Sequence, residues 1–68
     1  MKFEVNIACN NAAFDEENIN LEVARILNNL ANIIEKGYTS SNLRDADGNT
    51  CGFASFQDDD VYNFFMNV

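Results

Sequence analysis

Between residues 18 and 36 the apolar side chains return every third or fourth position: Ile19, Val23, Ile26, Leu27, Leu30, Ile33 and Ile34, with Ala24 and Ala31 beside them. At 3.6 residues per turn these fall on one stripe, and Glu22, Arg25, Asn28, Asn29, Asn32 and Glu35 fall mostly outside it. The spacing predicts one long amphipathic helix. Asp15 or Asn18 can cap its start, and the acids Asp15, Glu16 and Glu17 suit the positive end of its dipole. Lys36 suits the negative end, and Gly37 supplies a left-handed residue to stop it. Such a stripe has to be buried, and the segments flanking it read as strands.

Residues 1–9 alternate with period two. Phe3, Val5, Ile7 and Cys9 share one face, and Lys2, Glu4, Asn6 and Ala8 the other, which predicts a half-buried strand. The stretch NNAAFDEEN breaks the pattern and reads as a loop anchored by Phe14. After the helix, DADG fits a type I turn, Asp45 first and Gly48 fourth, followed by a G1 bulge. The turn joins two strands, roughly 38–45 and 49–56, as a hairpin. In this register Leu43 opposes Cys51 on the core face, and Phe53 follows Cys51 there. Phe56 points the other way unless the strand is bulged. The fold class is therefore α+β: a β-α-β-β chain with one helix on one face of a mostly antiparallel three-stranded sheet. The last strand is expected in the centre, where it pairs antiparallel with both others. The rival order sets the first strand beside the second in parallel. Residues 1–57 make a single domain and residues 58–68 a short tail.

At 68 residues the chain lies near the lower limit for folding alone, and its core stabilises it by only about 3–5 kcal/mol. A hydrophobic fraction of 47% is too high for a disordered chain. Eleven acids against four bases give a net charge of −7. That charge repels nucleic acid and anionic lipid, so direct nucleic-acid binding is not expected. It attracts the basic surfaces with which other proteins hold DNA or RNA. The same charge also serves solubility. The opening MKFEVNIACN lacks the apolar core of a signal peptide, and no run approaches a membrane span, so a cytoplasmic place is expected. In that compartment Cys9 and Cys51 are expected as reduced thiols and are not spaced as a zinc site.

Little in the sequence points to catalysis. There is no His for proton transfer at neutral pH and no nucleophile motif, phosphate loop or metal triad. Asp45-x-Asp47-Gly48-Asn49 looks like the start of a calcium loop, but its Gly falls at position 4 rather than 6, and Phe56 stands where a bidentate Glu is needed. A plain hairpin turn accounts for it. No cofactor and no catalytic residue is expected, and the chain reads as a non-enzyme.

The placing of the acids says more. The first strand ends where the helix begins, and the hairpin tip returns to that pole. Asp15, Glu16, Glu17, Asp45 and Asp47 should gather there, with Glu22 close by. Asp58, Asp59 and Asp60 should lie at the opposite pole, a strand length of about 20–25 Å away. Each patch could stand in for a few phosphates. Local turn and capping chemistry also accounts for Asp15 and Asp45. In the tail, Val61, Phe64, Phe65 and Val68 stand at i, i+3, i+4 and i+7, the stripe of a short helix with Tyr62 beside it. So short a helix must dock: on its own sheet, on a second copy as a homodimer, or in a partner's groove.

NNAAF, EVARILNNLANIIEKG and LRDADGNTCG together resemble segments of a group of very small phage-encoded proteins. The resemblance covers about residues 3–56, excludes the tail, and implies a phage or prophage setting and a bacterial host cell without implying a site. Small size and acidity are shared with anti-CRISPR and other anti-defence proteins. The expected function is a small acidic protein that occupies a basic, nucleic-acid-binding surface of a host protein. Asp15, Glu16, Glu17, Glu22, Asp45, Asp47, Asp58, Asp59 and Asp60 would supply charge, and Tyr62, Phe64 and Phe65 apolar anchors. The alternative is a non-catalytic structural or accessory homo-oligomer held by the tail and an exposed sheet edge.

Overall fold

The computed structural model describes residues 1–58. The expected tail helix and Asp59, Asp60, Tyr62, Phe64 and Phe65 lie outside the described residues. Strand β1 spans Lys2–Ile7, a 3-10 turn spans Ala12–Phe14, helix α1 spans Ile19–Glu35, strand β2 spans Ser40–Arg44 and strand β3 spans Thr50–Gln57. Strands β1 and β2 are each three residues shorter than alternation alone suggests, and β3 keeps the expected length but starts and ends one residue later. The order is β1-β3-β2 and both pairings are antiparallel, so the hairpin's second arm takes the centre and the parallel order is not realised.

Helix α1 forms where the 3.6-residue stripe lies. Ile26 and Leu30 are buried, and Ile19, Val23 and Ile34 pack against them from the sides. Asn18 precedes the first helical residue, yet its side chain makes no capping bond. Asp15 orders the approach instead: its Oδ1 accepts the Glu17 N–H at 3.1 Å and the Asn18 N–H at 3.0 Å. At the other end Lys36 and Gly37 donate to the carbonyls of Ile33 and Ile34, and Gly37 turns left-handed at φ 102°. Phe14, the loop's apolar anchor, is 5% exposed and joins Leu43, Cys51 and Ala54 in the core.

The hairpin closes as a type I turn with a G1 bulge. Gly48 N–H donates to the Asp45 carbonyl at 3.0 Å, Asp45 N–H donates to the Asn49 carbonyl at 2.9 Å, and Gly48 has φ 85°. Beyond it the register departs from the expected one. Leu43 faces Gly52 rather than Cys51, and Arg44 faces Thr50, so Cys51 is an extra residue in β3. This second bulge lets Cys51 and Gly52 both serve the inner face and reverses the alternation after them. Phe53 therefore lies on the outer face, 48% exposed, while Ala54 is fully buried. Phe56 turns inward opposite Phe3, their rings tilted with centroids 4.8 Å apart.

Gly52 sits where β1 and β3 press together. A Cβ there would overlap the Asn6 carbonyl oxygen and reach within 3.0 Å of the Ile7 Cα. Helix α1 stands over β2 and the 3-10 turn and leaves the β1 side of the inner face half open. Val5 and Phe56, on that side, are 41% and 42% exposed, and Leu27 on the helix is 42% exposed.

Candidate functional site

The helix start, the loop before it and the hairpin tip meet at one pole, as the strand directions require. A connected set of polar contacts holds them together. Asp45 Oδ1 accepts the backbone N–H groups of Asp47 at 3.0 Å and Asn49 at 2.9 Å, and its Oδ2 accepts from Asn11 Nδ2 at 2.9 Å. Glu22 takes Arg25 in a two-pronged pair, Nε to Oε1 at 2.7 Å and Nη2 to Oε2 at 3.1 Å. Its Oε2 also accepts the Ala46 N–H at 2.6 Å. Arg25 Nη2 goes on to the Arg44 carbonyl at 3.1 Å, and Arg44 Nη1 donates to the Gly48 carbonyl at 3.3 Å.

These contacts set the ionisation of the pair. The Arg25 guanidinium holds the Glu22 carboxyl below its ordinary value, against burial and the Asp45 charge and with help from the Ala46 N–H. Glu22 in turn raises the pKa of Arg25. Burial opposes ionisation of Asp45, but the donors Asn11, Asn49 and Asp47 outweigh it, so its pKa is lowered. Burial pushes the Cys51 thiol up, and the Asp45 charge adds to that. Cys9 and Cys51 are both free thiols.

The acids read as one patch in the sequence thus divide in two. Asp45 and Glu22 are 4% and 7% exposed, and their oxygens are committed to backbone and side-chain donors within the fold. Glu22, assigned mostly to the outside of the helix stripe, is in fact buried, because Glu22, Ile26 and Leu30 form one i, i+4, i+8 line. Asp15, Glu16, Glu17 and Asp47 are exposed at the same pole. No ion pair among the described residues engages these four. Asp58 is exposed and follows β3 at its other end, beside the Lys2–Gln57 pairing.

Sequence reading missed the role of Arg25, which ties Glu22 of the helix to the Arg44 carbonyl at the start of the hairpin turn. The i, i+3 spacing of Glu22 and Arg25 was the available signal. Between α1 and β2 runs an open groove of about 430 Å³, floored by Ile26, Leu30 and Leu43 and rimmed by Arg25, Asn42 and Arg44. Among the described residues, no group of three or more His, Cys, Asp or Glu side chains is placed to hold a metal ion, and no helix is long and apolar enough to cross a membrane. Comparison of the chain with protein-family models, with curated proteins and with solved structures gives no match.

Proposed function

We propose that this chain is a small, non-catalytic, acidic binding protein of phage type that occupies a basic, nucleic-acid-binding surface of a host protein, as an inhibitor or modulator. The observation that carries the reading is the exposure of Asp15, Glu16, Glu17 and Asp47 at one pole, while the nearby cations Arg25 and Arg44 are bound to acceptors within the fold. Four carboxylates on a braced turn and loop offer a basic surface what a short row of phosphates offers it. The net charge of −7 adds long-range attraction of the same sign.

The test is capture from a bacterial lysate on the immobilised chain, washed at graded salt. A triple variant, Glu16→Gln, Glu17→Gln and Asp47→Asn, serves as one control, and Asn at Asp58, Asp59 and Asp60 as another. The reading expects a basic protein that elutes steeply with salt, is displaced by DNA or RNA, and is lost from the triple variant. A captured protein that resists high salt and binds the triple variant equally would overturn it. The half-open apolar strip at Val5 and Phe56 favours a second reading, an accessory homo-oligomer. In its tail-based form, removal of residues 61–68 yields a monomer, and an unchanged mass by light scattering would refute that form.

A further inference from the structure

The two edges of the sheet are not alike. In the β1–β3 ladder the Ala8 N–H donates to the Cys51 carbonyl at 2.7 Å, and the Asn6 carbonyl faces Gly52. The even-numbered residues of β1 therefore turn their backbone groups toward β3, and Phe3, Val5 and Ile7 turn theirs outward. Among the described residues no strand pairs with that side, where the Ile7 carbonyl has the Cys9 thiol at 3.9 Å. On the far edge the Phe56 N–H donates to the Thr39 carbonyl, so Ser40, Asn42 and Arg44 of β2 face outward. There the Asn42 carbonyl accepts from Ser41 Oγ at 2.8 Å and the Arg44 carbonyl from Arg25 Nη2 at 3.1 Å. The β2 edge is thus closed by side chains at two of its outward carbonyls, whereas among the described residues the β1 edge has such a partner only at Ile7, and Val5 at its middle is 41% exposed. An open apolar edge is a template for another strand.

We infer that a second copy of this chain covers that edge, β1 against β1, antiparallel about a two-fold axis at Val5. The strand's own pattern selects the occupant and the register. Centred on Val5, Val5 meets itself, Phe3 meets Ile7 of the second copy, Glu4 meets Asn6 and Lys2 meets Ala8. Apolar faces apolar on the inner side, and no like charges oppose each other. A pairing shifted out of phase would set apolar residues against polar ones. Centring on Glu4 sets two carboxylates face to face. Centring on Phe3 opposes Lys2 and Glu4 but shortens the ladder to the first five residues and leaves Ile7 unpaired. In the Val5 register each outward-facing pair exchanges two backbone hydrogen bonds, and the two sheets become one of six strands, ordered β2-β3-β1-β1-β3-β2. The half-open strip of each copy then continues into that of the other. This inference deepens the homo-oligomer reading and is independent of the acidic pole.

The experiment measures the mass of the full chain by light scattering across a concentration series. The wild type should reach twice the chain mass. Val5→Pro removes an N–H that β3 does not use, and Val5→Lys sets a cation against its own symmetry mate, so both should run at the chain mass with strand and helix content kept by circular dichroism. In a Cys9→Ser background, Val5→Cys should oxidise to a linked dimer because the residue meets itself, and Asn6→Cys should not. Should Val5→Pro fail to fold, Val5→Lys and the disulfide decide the question. A wild type that stays at the chain mass at every concentration overturns both the inference and the oligomer reading. A wild-type dimer that survives Val5→Lys overturns the edge pairing and leaves the oligomer reading standing.

Discussion

Replacing Gly52 by Ala adds one methyl group at the tightest point between β1 and β3. The new Cβ would overlap the Asn6 carbonyl oxygen, with the Asn6 carbonyl carbon and the Ile7 Cα each 3.0 Å away. All three are backbone atoms, so no side chain can rotate out of the way and β1 itself must shift. Forced backbone displacements of this kind cost about 1–3 kcal/mol. A chain this small is stabilised by only about 3–5 kcal/mol, so the loss is a large part of the whole. For a domain of this size each kcal/mol moves the midpoint by roughly 4–8 °C, which puts the expected fall at roughly 4–25 °C. The control is Gly48→Ala, at φ 85° with open space around the added methyl. There the cost is the left-handed backbone alone, about 1–2 kcal/mol. Thermal melts followed by circular dichroism compare the three proteins. Gly52→Ala should match or exceed the loss of Gly48→Ala and should loosen β1 in amide hydrogen exchange. A Gly52→Ala protein that melts like the wild type would refute the β1–β3 register, which sets Gly52 against Asn6 and Ile7.

Three further predictions follow from burial and ionisation. Leu30→Ala, at a site 4% exposed, should cost about 2–5 kcal/mol, and Leu21→Ala, 71% exposed, less than about 0.5 kcal/mol; equal losses in denaturant titrations would mean that the buried face of α1 is misassigned. Glu22 and Asp45 have folded pKa values below their ordinary 4.5 and 3.8, so the folded state binds fewer protons and stability rises with pH; it should be full above the ordinary carboxylate range and fall as the pH drops through the folded values, with a shallower slope in Asp45→Asn, and melts that are flat down to pH 2 would contradict this. Cys51 is 6% exposed with its thiol pKa raised, so iodoacetamide should modify it far more slowly than Cys9 in the folded chain and at a similar rate in denaturant; equal native rates would count against its burial.

The sequence makes the large elements legible because their signals are local. The stripe from Ile19 to Ile34 sets α1 to within a residue, and DADG sets both the turn type and the left-handed Gly48. Antiparallel pairing of a central third strand with both neighbours follows from connectivity. The misplaced phase of β3 has a specific cause. Cys51 and Ala54 are buried and Phe53 is not, yet strict alternation from Cys51 selects Phe53. Only the backbone count across the hairpin, two residues against one, reveals the extra residue. Burial of Glu22 was hidden for a similar reason: its partner on the hairpin is the Ala46 N–H, 24 residues away, and nothing local marks it. The pole itself was legible from strand directions, but its division into two structural and four exposed carboxylates depends on those long-range bonds.

The most direct test of the account compares two sets of charge-neutralising changes in one pair of assays, a thermal melt and salt-graded capture of the basic partner. Asp45→Asn should lower the melting midpoint because it removes an acceptor buried among Asn11, Asp47 and Asn49. The triple variant Glu16→Gln, Glu17→Gln and Asp47→Asn should melt like the wild type and release the partner at low salt. A triple variant that keeps the partner through high salt, or that unfolds as readily as Asp45→Asn, would contradict the claim that Glu16, Glu17 and Asp47 bind while the buried Glu22 and Asp45 brace.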